Sequence, residues 1–286
     1  MLSNRSRMWI LVFTVCISAL GFPGASAAPN PLQDQNQTEA VKPNLTEDEM
    51  RQFLLTADIK RAEETSSGIT RPYKLILSDG KITHDALFQS IDYFSPVEKL
   101  TTGTEINFRD TYHFNIAAYE LAKLLGLDHM MPVTVERKYK GHRGSLSWWI
   151  DNIVMDERDR LEKKIHAPDI EDWNKQMYRK WVFGQLVCDT DPNATNVLID
   201  DNWKIYMIDF SRAFRLHQDL RHPEEVDHCD RQLLEKLRQL DQKEVEAKTK
   251  KHLQKGEIKA LMKRRDKIIE RIEELISQKG EAAVLY

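Results

Sequence analysis

The spacing of apolar residues predicts strands in the first half of the chain and helices in most of the second. Strands are recognised by alternation of apolar and polar residues, and amphipathic helices by a repeat near 3.6 residues. The turn at Ser78-Asp79-Gly80 joins the first two strands into a hairpin. By this criterion the predicted strands are 73–77, 81–91, 132–136, 144–150, 197–199 and 204–208.

Helix boundaries are marked by capping residues. Thr46-Glu-Asp-Glu49 has the spacing of a capping box and predicts a short helix with Phe53 and Leu54 on its apolar side. Gly126 marks the end of a helix predicted over 112–125, and further helices are predicted over 172–188 and after residue 224. The segment 95–108 carries turn residues without a period and is expected to be a loop.

This order of elements predicts an α+β fold with two lobes. Strands with one main helix come first, and mostly helices follow, which places the smaller lobe at 45–149 and the larger lobe at 150–286. The charged tail from 248 onwards places Leu253, Ile258 and Leu261 on one helical face, so it is expected to pack on a lobe or on a partner.

Composition excludes several classes of protein. The chain has 286 residues with 42 basic and 45 acidic side chains, a formal net charge of −3, which argues against a nucleic-acid binder. Three cysteines are too few for a disulfide framework, although a Cys188–Cys229 bridge stays open. The nine histidines are scattered and show no metal-ligand spacing along a helix.

The amino terminus is typical of a secretory signal peptide. Basic residues precede an apolar run at 8–20, and small residues at 25–28 predict cleavage after Ala27. Residues 1–27 are therefore expected to direct export, giving a secreted or periplasmic protein, and 28–44 to form a flexible leader. The apolar run is too short to span a bilayer, so no transmembrane span is expected after cleavage, while an uncleaved peptide would anchor the chain.

The residues most indicative of chemistry lie in one loop and the strand pair that follows it. Asp189, Asp191 and Asn196 lie in the loop, and Asp209 ends the second of two short strands. Phosphoryl transfer from ATP requires a carboxylate to accept the proton of the acceptor hydroxyl, and oxygen ligands for a divalent cation. A loop–strand–turn–strand unit brings such groups side by side.

This constellation resembles the atypical kinase superfamily, including bacterial phosphatidylinositol 3-/4-kinase-like proteins and, more distantly, the persistence-toxin serine/threonine kinases. The resemblance implies a two-lobed protein-kinase-like fold. It implies that Asp191 is the catalytic base and that Asn196 and Asp209 bind the metal. Asp189 replaces an asparagine of the family pattern, and the alternatives that it aids metal binding or repels the nucleotide both stay open.

The resemblance also assigns roles in the first half of the chain. Gln89 occupies the position expected for the phosphate-binding lysine, with Lys74 or Lys81 as a substitute and Glu120 as its partner on the helix. A glutamine hydrogen-bonds a phosphate but brings no charge. Trp149–Ile150 fall where the hinge offers backbone groups to adenine.

The sequence therefore predicts an exported kinase-like protein. ATP and Mg²⁺, or Mn²⁺, are the expected cofactors, and the acceptor is a hydroxyl group on a protein, a lipid or a small molecule. Because Gln89 replaces the lysine, a nucleotide- or metal-binding pseudokinase is the main alternative. A calcium-binding or scaffolding protein is a second one, since 189–193 has the D-x-D-x-N spacing of calcium loops, although Ala194 and Asp200 depart from that pattern.

Overall fold

The first described helix begins at the predicted capping box. The computed structural model describes residues 45–65, 72–100 and 103–286. The Thr46 side chain accepts from the backbone N–H of Glu49, whose carboxylate accepts in return from the N–H of Thr46, and α1 then covers Glu47–Thr56. Its end is held to a neighbouring strand by Arg137, which donates to the carbonyl of Leu54 at 2.7 Å.

Five antiparallel strands form the main sheet against which α1 packs. The predicted hairpin around Ser78-Asp79-Gly80 is confirmed, as is the strand pair that begins after Pro132. The first strand of the sheet carries mostly exposed side chains and was not predicted. In the order in which they neighbour one another, the strands are β1 (Asp58–Glu64), β2 (Tyr73–Ser78), β3 (Thr83–Gln89), β7 (His142–Trp148) and β6 (Thr134–Tyr139).

The prediction of a loop over 95–108 is wrong. Two long strands, β4 (Asp92–Leu100) and β5 (Gly103–Thr111), pair as a separate hairpin inserted between β3 and the next helix. Most side chains of β4 are exposed, so neither face of the hairpin shows the inward–outward alternation that identifies a strand. Its exposed apolar residues are Tyr93, Phe94, Val97 and Ile106.

The central helix is confirmed with the predicted bounds. α2 (Tyr112–Leu125) begins where the Thr111 hydroxyl accepts from the N–H of His113, and it ends at Gly126, which has a left-handed φ of 71°. It packs against β6 and β7 on one side and against the helices of the second half on the other. The helix is buried on almost all sides, so each of its buried polar side chains requires a hydrogen-bond partner.

The second half contains a small sheet and the remaining helices. Three antiparallel strands neighbour one another in the order β10, β9, β8. The last helix is 25 residues long and buries Ile258, Leu261 and Ile268, as the apolar spacing of the tail predicts. The elements in chain order are β8 (Ile153–Asp156), α3 (Glu157–Glu162), α4 (Ile170–Val187), β9 (Val197–Asp200), β10 (Ile205–Met207), α5 (Arg231–Gln239), α6 (Gln242–Thr249) and α7 (Lys255–Lys279).

The predicted α+β class is confirmed. One continuous set of buried apolar side chains extends from α1 to α7, and Pro43–Tyr286 form one unit, so the boundary between lobes near residue 150 stays a prediction. Cys188 and Cys229 are free buried thiols in the structure, which argues against the bridge left open by the sequence. Within the described ranges, no helix is both long enough and apolar enough to cross a bilayer. The predicted signal peptide and leader lie outside these ranges.

Candidate active site

The loop that carries the predicted chemistry is held by short-range hydrogen bonds. It begins at Cys188, whose left-handed φ of 51° ends α4. Asp189 Oδ1 accepts the backbone N–H of Asp191 at 3.0 Å, and Asn193 Oδ1 accepts that of Thr195 at 3.2 Å. Both side chains therefore cap the loop backbone. The loop is thereby fixed before β9 begins.

Asn196 brings the loop and the following strand pair together. Its Nδ2 donates to the carbonyl of Asp191 at 3.3 Å, and its own carbonyl accepts the N–H of Ile208 at 3.0 Å. The next residue, Asp209, has a left-handed φ of 57°, a conformation uncommon for residues other than glycine. Asp191, Asn196 and Asp209 thus lie on two adjacent segments, as the sequence predicts.

Four carboxylates gather around this point. Burial raises the pKa of Asp189 to about 6, with the charges of Asp191 and Asp209 adding to the effect. Burial also raises the pKa of Asp209, and Asp110 adds to it. Asp110 lies on β5, and its Oδ1 is buried without a hydrogen-bond partner among the described residues. The combined negative charge of these carboxylates favours a divalent cation nearby.

An arginine contacts the predicted catalytic carboxylate. Arg212 Nη1 lies 3.1 Å from Asp191 Oδ2, and the Arg212 carbonyl accepts from the hydroxyl of Thr190 at 2.7 Å. The guanidinium also lies 5.2 Å from the ring centre of Phe108 on β5. About half of the Asp191 side chain remains exposed. The carboxylate is therefore oriented and still open to solvent.

Gln89 is buried at the end of β3 and pairs with a residue that the sequence did not single out. Its Oε1 accepts from Asn115 Nδ2 at 3.0 Å, and the same Nδ2 lies 3.5 Å from Ser145 Oγ. Asn115 Oδ1 accepts the backbone N–H of Phe210 at 2.7 Å. A neutral amide pair thus joins β3, α2 and the residue after Asp209.

The prediction that Glu120 pairs with Gln89 is wrong. Glu120 accepts from Arg51 of α1 at 2.9 Å. Five residues of α-helix separate Asn115 from Glu120, which turns the side chain by about 140° and moves it about 7.5 Å along the axis. Only one of the two can face Gln89, and the structure places Asn115 there.

The predicted substitute lysines do not reach Gln89. Lys74 Nζ lies 2.7 Å from Asp85 Oδ2 and 4.6 Å from the ring centre of Trp149. Lys81 is exposed beside the turn between β2 and β3. The position expected for a phosphate-binding ammonium group is therefore occupied by an uncharged amide.

A cleft of about 760 Å³ lies between the five-stranded and the three-stranded sheets. Gln89, Asn196 and Asp209 line it, and its lining in the described ranges includes no lysine. Trp149 and Ile150 also line it, at the predicted hinge. The N–H of Trp149 donates to the carbonyl of Asp85 at 3.1 Å, and its carbonyl accepts from His84. Because both backbone groups of Trp149 are already hydrogen-bonded, Ile150 is the hinge residue better placed to offer backbone groups to a ligand in the cleft.

Comparison with known proteins identifies the fold. No protein-family model matches the sequence, and no curated protein matches it significantly. The structure of hydra Fam20 with sugar matches with a TM-score of 0.61 at 14% identity, covering 86% of this chain and 93% of that one. The Golgi casein kinase matches with a TM-score of 0.60 at 14% identity over 84% and 77% of the two chains. Its structure with Mn/ADP bound matches with a TM-score of 0.58 at 13% identity over 84% and 78%. The chain thus has an atypical kinase-like fold, as the loop motif predicts.

Proposed function

We propose that this protein is an ATP-dependent phosphotransferase of the atypical kinase type. The observation that carries the proposal is the meeting of Asp191, Asn196 and Asp209 beside the cleft between the two sheets. The kinase-like fold and the Mn/ADP complex of one structural neighbour support the same conclusion.

Each of the three residues has a distinct role in this proposal. Asp191 is half exposed, so an incoming hydroxyl group can reach its carboxylate and give up its proton there, while Arg212 orients that carboxylate. Asn196 and Asp209 provide oxygen ligands for Mg²⁺ or Mn²⁺, and Asp189 adds negative charge behind them. When bound, the cation would neutralise charge on the phosphates.

The uncharged Gln89 makes this kinase unusually dependent on its cation. A lysine would contribute a full positive charge to the phosphates, whereas the Gln89 amide contributes only a hydrogen-bond donor. Asn115 keeps that amide in place. We therefore expect nucleotide affinity to fall more steeply on removal of the divalent cation than in a kinase that has the lysine.

A pseudokinase is the second candidate, favoured by the same amide pair and by the contact between Arg212 and Asp191. In that case the cleft binds nucleotide and metal without transfer. A calcium-binding role is less favoured, because Asp189 and Asn193 already cap the loop backbone.

The acceptor is proposed to be a hydroxyl group on a protein, a lipid or a small molecule. Export by residues 1–27 would place the reaction in a secreted or periplasmic setting, or at a membrane surface if the peptide is retained. ATP is scarce outside the cytoplasm, so an exported kinase requires a compartment that supplies it.

Calorimetry and turnover separate these candidates. We expect ADP and ATP to bind in the presence of Mg²⁺ or Mn²⁺, and binding to be lost in Asp209→Asn. Asp191→Asn should bind nucleotide but lose phosphate transfer and ATP hydrolysis by at least ~100-fold. Asp201→Asn, in the exposed turn between β9 and β10, is the matched control.

Two outcomes would redirect the proposal. Metal-dependent binding with no turnover in wild type or Asp191→Asn would establish a pseudokinase. Tight binding of Ca²⁺ alone, with no metal-dependent binding of nucleotide, would contradict both kinase-type functions.

A further inference from the structure

Two histidines and a glutamate meet at a second place in the fold, away from the Asp191 loop. His113 lies in the first turn of α2, Glu136 on β6, and His252 between α6 and α7. The Nδ1 atoms of the two imidazoles are 3.0 Å apart, although 139 residues separate them in sequence. The three potential ligand atoms all lie within 4.8 Å of one another.

We propose that His113, His252 and Glu136 form a binding site for one Zn²⁺ ion. Two imidazole nitrogens and one carboxylate oxygen are a common set of zinc ligands, with a fourth position open to water. Softer or harder cations fit less well, because the set has no thiolate and only one carboxylate.

The distances require little rearrangement. Zinc lies about 2.0–2.1 Å from imidazole nitrogens, so two tetrahedral ligands are about 3.3 Å apart. The two Nδ1 atoms are already within a few tenths of an ångström of that spacing. The carboxylate of Glu136 has to move closer, and it is paired with Arg143 in the structure. That arginine is 72% exposed, so the ion pair is a weak competitor.

Zinc binds imidazoles in their uncharged form, which burial favours at this place. Burial and the neighbouring ring lower the pKa of His252 to about 4, and burial lowers the pKa of His113. Positive charges also face the site, from Lys251 and from Arg109. Arg109 is itself paired with Glu257, so part of its charge is already balanced.

An ion at this place would strengthen a contact that now rests on one hydrogen bond between the two imidazoles. It would link α2 and β6, on the side of the main sheet, to the segment before α7. His113 is two residues from Asn115, which holds Gln89 and Phe210 beside the cleft. Metal binding would therefore stabilise the helix that positions one wall of the candidate active site.

The test uses the full chain, freed of metal by a chelator and dialysed. We expect one Zn²⁺ to bind per chain in a titration followed by atomic emission, and Co²⁺ to give the intense visible absorption of a four-coordinate site. Replacing a ligand by His252→Ala should weaken zinc binding by at least ~100-fold, and Glu136→Gln by ~10-fold or more. His129→Ala, which changes an exposed histidine outside the cluster, is the control and should bind like wild type.

Asp209→Asn separates this site from the proposed kinase site, because it should leave zinc binding intact. Wild type that retains less than about one tenth of an equivalent of zinc and gives no four-coordinate Co²⁺ spectrum would refute the proposal. So would unchanged affinity in both His252→Ala and Glu136→Gln. If His252→Ala does not fold, Glu136→Gln decides alone, since its side chain is partly exposed.

Discussion

Asn115 joins three segments through one buried amide, so its removal is the sharpest test of the site geometry. In Asn115→Ala, the backbone N–H of Phe210 loses its acceptor and Gln89 Oε1 loses its donor. A buried polar group left without a partner costs about 1–3 kcal/mol. Two such groups, with allowance for water entering from the cleft, give an expected loss of about 3 kcal/mol in the free energy of unfolding.

Urea unfolding followed by circular dichroism measures this loss. Asn174→Ala is the matched control, because Asn174 is exposed on α4 and makes no comparable contacts. At that position, replacing asparagine by alanine should stabilise the helix by up to ~0.7 kcal/mol. Asn115→Asp keeps an acceptor for Phe210 but loses the donor to Gln89 and adds a charge near Asp209. It should therefore also destabilise the protein, and more at pH 8 than at pH 5.

A double-mutant cycle identifies the pair itself. Gln89→Met removes the partner group at similar volume, so combining it with Asn115→Ala should cost about 1 kcal/mol less than the sum of the single changes. A loss below about 1 kcal/mol for Asn115→Ala, or strict additivity in the cycle, would refute the argument that this amide pair is buried and connected as described.

Three further changes test other contacts of the fold by the same unfolding measurement. Because burial raises the pKa of Asp189 to about 6 from 3.8, its contribution to stability is present below pH 4 and lost as pH rises through 6. In chelator, the free energy of unfolding of Asp189→Asn should then exceed that of wild type by about 3 kcal/mol at pH 8. The difference should shrink toward pH 4, and a difference that grows on acidification would contradict this. Gly144→Ala should lower the free energy of unfolding by more than ~2 kcal/mol, because the new Cβ would lie 2.7 Å from the Phe88 ring and closer still to the backbone of Gln89. Its control is Gly184→Ala in α4, where the new Cβ meets open space and should stabilise the helix by about 1 kcal/mol. Arg264→Met should lower the free energy of unfolding by at least ~3 kcal/mol, since the fully buried guanidinium donates to three backbone carbonyls. An unchanged free energy of unfolding would show that water satisfies these carbonyls in the variant.

The elements with a buried face could be predicted from the sequence, and the exposed ones could not. α2 is predicted to the residue because its apolar side chains and Gly126 reflect packing that the fold enforces. The hairpin of β4 and β5 was missed because most of its side chains face solvent, so its sequence carries no alternation to read. β1 was missed for the same reason.

The site shows a similar division. Asp191, Asn196 and Asp209 are close in sequence and separated by a strand and a turn, so their meeting follows from local structure. Asn115 and Asp110 come to the site through the packing of α2 and β5, which no local spacing encodes. The missed signal for Asn115 was its polar side chain within a helix whose other residues are mostly apolar. His113 and His252 are a still clearer case, since they meet only in the folded chain.

Where the sequence resemblance implies a lysine–carboxylate pair, the structure has the amide pair Gln89–Asn115. A buried ammonium without its carboxylate, or the reverse, would leave an unpaired charge at a cost of about 3–5 kcal/mol. Two amides leave no charge and keep the connection between β3 and α2. The amide pair also lacks the fixed positive charge that a lysine would bring near the carboxylates around Asp209. Arg212 balances part of this negative charge through its contact with Asp191, and a bound cation would balance more of it. If the cleft binds nucleotide as proposed, the uncharged pair Gln89–Asn115 should make that binding depend on the metal.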